Sequence, residues 1–266
     1  MLRSVAGKAL WERRQSLAAW TVGVVALIAM YAGLYPSISK SVAYTDLINQ
    51  MPSSLRDLFT AGMPSDLTSG AGYLYIELMS FMAPLVVIAY AVGAGATSIA
   101  GDEERHTLDL LLAMPVSRRR VVLEHFAALV GGLIVLAFGM GAALVAFGAA
   151  AGMGLSTANV AAAMAHLLML GAVFGGLALA VGSATGRLSL ARAVPSVLAV
   201  CAYILNGFGS SVSWLEQARK VSPFYQYIGH DPLRNGLSVG ALLVSVATAL
   251  MFLLAAMSLL GRRDTT

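Results

Sequence analysis

Histidine, cysteine, serine and carboxylate side chains could all do chemistry here, and their spacing decides which chemistry is open. His106, His125, His166 and His230 are scattered through different segments. With a single cysteine, Cys201, the sequence offers no metal-ligand spacing and no internal disulfide. Cys201 reads as a small apolar packing residue. Ser210 and Ser211 in GFGSS, with His230 in GHDP, make the best serine–histidine pair. An activated serine needs a base oriented by a third group, and the only acid at telling spacing is Asp231, whose Asp-Pro step reads more simply as a turn. A phosphate-cradling G-x-x-x-x-G-K-[ST] is missing too: the only Gly-Lys, at 7–8, is followed by alanine. That leaves residues 100–120, AGDEERHTLDLLLAMPVSRRR, where four acids, four arginines and a histidine crowd into an otherwise greasy chain.

The elements around this window are set by composition. Of 266 residues 58% are apolar and 11% charged, against about 25% charged in a soluble domain. A bilayer core needs about 20 apolar residues per helix. Uncharged runs predict six spans, at about 15–38, 74–100, 121–151, 160–184, 193–213 and 236–260. The stretch from Phe126 to Gly186 has no Asp, Glu, Lys or Arg and divides at GMGLSTAN, residues 152–159. The expectation is an all-α integral membrane protein, with residues 1–266 as one membrane domain. The net charge of +4 does not suggest nucleic acid, because the cations flank apolar runs instead of forming a patch.

Cations flank the spans unevenly. With the N-terminus inside, twelve of the 17 basic residues face the cytoplasm, and Lys40, Arg56, Arg219, Lys220 and Arg234 face out. Both termini are then cytoplasmic. The N-terminus does not read as a cleaved signal, because the run after Arg14 is too long for one. Leu2, Val5, Ala6, Ala9 and Leu10 repeat at helical spacing, which predicts an amphipathic interfacial helix over 2–14. Outside, residues 40–72 form a long polar segment in which SSLRDLF, 53–59, could be helical. Residues 213–235 are mixed polar and aromatic and suit the membrane interface.

The charged window becomes the cytoplasmic loop between spans two and three. Asp102, Glu103 and Glu104 are expected in the first turn of a helix over 102–114, where acids suit the dipole. Pro115 stops that helix and Ser117 caps the next. About a dozen residues make a helix of roughly 18 Å. Leu108, Leu111 and Leu112 share one face with the stem of Glu104, while Asp102, His106 and Asp109 share the opposite one. Arg105 and Asp109 are spaced as an i,i+4 pair. Leu110 points to the polar side beside Glu103 and Thr107. A leucine among charges suits docking into a cleft of another protein.

This window resembles the coupling-helix region of type-2 ABC exporter permeases, which read acidic-acidic-x-Gly-Thr-Leu-x-x-Leu-Leu and then Pro-Val-Ser-Arg. Thr107, Leu108, Leu111, Leu112, Pro115, Val116, Ser117 and Arg118 match; His106 stands where the family has glycine. The resemblance extends to the span count, the N-terminal helix, the long first outer segment and the SPF before the last span. It implies a bacterial plasma-membrane subunit that pairs with a second permease copy as a homodimer. Each copy would set its helix, from Asp102 to Pro115 with Arg118 behind it, into one of two ABC ATPase subunits. ATP and Mg would sit on the ATPase, with no cofactor on this chain, and the substrate would move outward.

An ion-coupled secondary transporter is the rival reading. Such carriers keep ionisable groups at mid-membrane, where each costs about 2.5–3.5 kcal/mol. Here Glu77 lies near the outer start of span two, and His166 lies early in span four, where it reads as a hydrogen-bonded packing residue. Glu77, Met79, Phe81, Met82 and Tyr90 are candidates to line a substrate path. The uncharged interior favours lipid-like or drug-like amphiphiles over small ions. Gly148/Gly152, Gly171/Gly175 and Gly182/Gly186 are spaced to let helices approach closely.

Overall fold

The computed structural model describes residues 7, 11, 13–41, 46, 50–52, 55, 69–105, 117–209 and 215–262. Six long helices dominate it: α1 (Arg14–Ile38), α2 (Met82–Glu104), α3 (Arg118–Ala150), α4 (Thr157–Thr185), α5 (Leu188–Phe208) and α6 (Val239–Arg262). Each is long and apolar enough to cross a membrane. Of the interfacial stretch 2–14, only Gly7, Trp11, Arg13 and Arg14 are among the described residues, and of 53–59 only Leu55.

The bundle is built around α4, which packs against α2, α3, α5 and α6, while α1 lies on α3. Between apolar helices in lipid, close packing of small residues drives association. The sequence of α4 supplies them. A Cβ at Gly171 would meet Val87 and Leu133, and one at Gly175 would meet Leu129 and the Ala91 carbonyl. From the other side, a Cβ at Gly95 of α2 would run into the carbonyl of Gly175. The backbones of α2 and α4 therefore touch with no side chain between them. By contrast α5 is the least buried of the six.

Local chemistry sets the helix ends. Ser117 is the extended N-cap of α3, and its hydroxyl accepts the Arg120 N–H at 3.4 Å. Gly152 and Gly154 turn the chain between α3 and α4 at φ +70° and +64°, a region open to glycine at no steric cost. Gly186 closes α4 at φ +65°, its N–H donating to Gly182 O. Two boundaries differ from those predicted. In place of one helix from residue 74, a short turn (Gly70–Leu74) and a π turn (Tyr75–Met79) lead into α2, which runs on to Glu104; α5 begins at Leu188, not at 193.

One end of the bundle carries the residues flanking 106–116, the α4–α5 turn and the end of α6; we call it the charged end. At the opposite, aromatic end, Glu216–Arg219, Pro223–Ile228 and Pro232–Asn235 form three short helices. Ser222 starts the second. Its hydroxyl accepts the Phe224 N–H at 3.3 Å and donates to Ala202 O of α5 at 3.0 Å, and Pro223 holds the first helical position. Phe224, Tyr227, Ile228 and Leu233 are buried. The Tyr227 hydroxyl donates to Met79 O at 3.0 Å, and Asn159 Nδ2 donates to the carbonyls of Leu233 and Arg234. Of the segment that reads from sequence as interfacial, the part from Ser222 to Leu233 is packed into the body of the protein, while Glu216–Arg219 has no buried residue.

Candidate functional site

At the charged end the three acids sit differently from the expectation. Asp102, Glu103 and Glu104 form the last turn of α2, with Arg105 as its C-cap, and do not open a new helix. The dipole of α2 disfavours acids there; α5 supplies the compensation. Glu104 Oε1 accepts the N–H of Leu188, the first residue of α5, at 3.0 Å. The Glu103 carboxylate lies so close to Gly186 that a Cβ there would collide with it. Because α5 has no cap from its own N-cap side chain, the Glu104 carboxylate of α2 serves its first free N–H in space.

A matching tether stands across the loop. Arg118 Nη1 donates to Leu260 O in the last turn of α6 at 3.2 Å, which suits both the unsatisfied carbonyls and the negative end of that helix. Arg105 folds back, its Nε donating to Gly101 O at 3.0 Å, with Nη2 3.7 Å from Asp102 Oδ1. Residues 106–116 are thus flanked by one root tied to α5 and another tied to α6. His106, Thr107, Leu108, Asp109, Leu110, Leu111 and Pro115 lie outside the described residues.

Two further residues at this end carry more structure than their sequence context suggests. Arg13 reads as one of several topological cations, yet it donates to Ala94 O at 2.9 Å and to Thr97 Oγ1 at 3.1 Å, fastening the start of α1 to α2. His125 is 5% exposed and neither ring nitrogen has a hydrogen-bond partner. Its Nε2 stands 3.7 Å from Asp102 Oδ2, beyond hydrogen-bond range. No sequence pattern linked either residue to α2, because both contacts are tertiary.

The candidate path residues separate into two groups. Met79 and Tyr90 face the interior of the subunit: Met79 receives the Tyr227 hydroxyl, and the Tyr90 hydroxyl is wedged against Gly132 with its ring edge-on to Trp20. Glu77, in the π turn, and Met82 are half-buried. Phe81 is exposed and lines an apolar groove of about 240 Å³ between α2 and α5, together with Leu85, Ile88, Ser196 and Tyr203. Its ring centroid lies 5.6 Å from that of Tyr203, which in turn lies 5.5 Å from Phe224. Sequence reasoning missed the α5 wall, because Ser196 and Tyr203 mean nothing until α2 is beside them.

His166 is a packing residue. It accepts the Ser238 N–H at Nε2 (3.2 Å), which leaves Nδ1–H to donate to Gln226 O (3.1 Å). With both nitrogens engaged it joins α4 to the aromatic-end segment and to the start of α6. Among the described residues no three His, Cys, Asp or Glu side chains group so as to hold a metal ion. Ser210 and Ser211 lie outside the described residues.

Six apolar spans, a charged loop tethered at both roots to other helices and an apolar groove along the exposed helix define a membrane permease subunit. A family profile described as "Multidrug efflux system permease Rv1217c, C-terminal domain" matches residues 2–263. The chain belongs to this family, which bears out the resemblance to a bacterial ABC exporter permease. No curated protein matches the chain. It is a multi-pass membrane protein and a transport subunit, not an enzyme, and the ATP that drives export is hydrolysed by a separate chain.

Proposed function

We propose that the charged end is cytoplasmic and that residues 102–114 form the coupling element on which an ABC ATPase docks, with Leu110 as its apolar anchor. The observation that carries this is the pair of tethers, Glu104 to Leu188 N–H and Arg118 to Leu260 O. A push on the loop is passed at one root to α5 and at the other to α6 through these contacts. Interfacial residues 2–14 lie along the inner leaflet, held at Arg13. Two copies of the chain face each other, each with one ATPase carrying its own ATP and Mg. The substrate leaves through a path between them that includes the α2–α5 groove at Phe81. The apolar walls suit drug-like or lipid-like amphiphiles, in keeping with the word multidrug in the family's name.

The test is purification of the tagged chain from native membranes in mild detergent, followed by mass spectrometry. A stoichiometric ATPase with a phosphate-binding loop is expected, lost when residues 106–116 are replaced by a Gly/Ser linker. An intact, well-folded permease that brings down no such ATPase would refute the docking role.

A further inference from the structure

Along its whole length α5 carries one charge, Arg192. The helix begins at Leu188, so Arg192 stands one turn in, about 6 Å along the axis. It is exposed and makes no ion pair or hydrogen bond among the described residues. The acids that meet the start of α5 are engaged elsewhere: Glu104 holds the Leu188 N–H and Glu103 lies against Gly186. Local physics does not favour the position either. The start of a helix gives a cation no dipole advantage, and Arg187, just outside the helix, already provides a headgroup-level anchor.

The face on which Arg192 lies accounts for it. Residues 192, 196, 199 and 203 follow one another at helical spacing along one side of α5. Ser196, Ala199 and Tyr203 line the α2–α5 groove. Arg192 therefore stands at the charged-end mouth of that groove, one turn beyond Ser196. Among the described residues no carboxylate lines the groove; its other walls include Phe81, Pro84, Leu85 and Ile88. An apolar slot with a lone cation at its mouth and no acid along it is complementary to one kind of molecule.

We infer that Arg192 is a specificity-determining residue that receives the headgroup of an anionic amphiphile, a carboxylate or sulfate whose apolar tail lies in the groove. The inference rests on the groove being the substrate path. A guanidinium offers a planar fork of donors that matches such a headgroup two-to-two. The same arrangement disfavours cationic amphiphiles, which would bring like charge to the mouth and find no acid within.

The test uses two probes with the same undecyl tail and dansyl reporter, dansylaminoundecanoic acid and its trimethylammonium counterpart. They are titrated into the full chain in phosphatidylcholine nanodiscs, with empty nanodiscs as baseline. Wild type should bind the acid roughly tenfold more tightly than the cation. Arg192→Gln should remove that preference without weakening the cationic probe, and Arg192→Lys should keep part of it. Equal affinities in wild type, or a preference that survives in Arg192→Gln, would overturn the inference. Phe81→Ala separates this from the reading beneath it. Weakening of both probes supports the groove; no effect on either refutes the groove and the inference together. Loss of acid-probe binding when phosphatidylglycerol is added to the nanodisc would make Arg192 a lipid anchor and would overturn its role in specificity.

Discussion

At the charged end of the bundle, helix termini are held by long side chains that reach across from other helices: Glu104 to α5, Arg118 to α6, Arg13 to α2. At the aromatic end they are held by a folded stretch of chain, whose Phe224, Tyr227 and Leu233 are buried among α2, α4 and α5. Side-chain tethers on exposed helix ends are each worth about 1 kcal/mol or less. A buried aromatic cluster is worth several times that. The aromatic end is therefore built to stay together, while the charged end can exchange one set of contacts for another at low cost. That asymmetry suits the coupling role proposed for the charged end.

The contrast can be broken most severely at the aromatic end. Phe224→Ala removes a buried ring that touches Phe174 and Tyr203 and should cost about 3 kcal/mol. Thermal unfolding followed by size-exclusion chromatography in detergent reads this out, and a change below about 1 kcal/mol would mean that the cluster is not what holds this end. Glu104→Ala at the charged end should cost only about 0.5–1 kcal/mol, with faster hydrogen exchange confined to the start of α5. Glu104→Gln, which keeps an acceptor, should restore protection. A global loss of stability in Glu104→Ala would erase the distinction drawn between the two ends.

The smallest effect concerns Asp231, which is buried at φ +45°, its Oδ1 without a partner and its Oδ2 3.6 Å from Arg234 Nε. Burial raises its pKa above the ordinary aspartate value, and the nearby Arg234 offsets this only in part. The folded protein therefore holds this proton more tightly than the unfolded chain. The stabilisation is present at low pH and lost as pH rises through the folded pKa. Wild type should become slightly more stable as pH falls from 7 towards the ordinary aspartate range. Asp231→Asn, which tolerates the left-handed backbone, should flatten that slope by less than about 1 kcal/mol. A slope unchanged in Asp231→Asn would assign it to another group.

Much of the fold is legible in sequence because each span is a local property: a long run without charge must be buried in lipid or protein. Ser117 as a cap is equally local. The acids of 102–104 show where this reasoning stops. The rule that a carboxylate favours a helix N-terminus holds for Glu104, but the terminus it serves is that of α5, more than eighty residues on in the chain. Sequence reveals that an acid wants an N-terminus; only packing reveals whose. The same holds for the α5 wall of the groove, where Ser196 and Tyr203 gain meaning from Leu85 of α2 and from Phe81 just before it. The folded-in segment at 222–233 escaped because its short helices lack the length that periodicity needs, and only Ser222-Pro223 marks a start.

The most direct test of the account is Leu110→Asp in the permease reconstituted with its ATPase in proteoliposomes, with ATP hydrolysis and export of a fluorescent amphiphile measured together. The account predicts that the variant inserts and purifies as wild type and that ATP is still hydrolysed. Export per ATP should fall at least about tenfold, as removing an anchoring apolar side chain from a docking cleft does. Wild-type export per ATP in this variant would contradict it: the loop between α2 and α3 would then not be where the work of ATP enters the membrane.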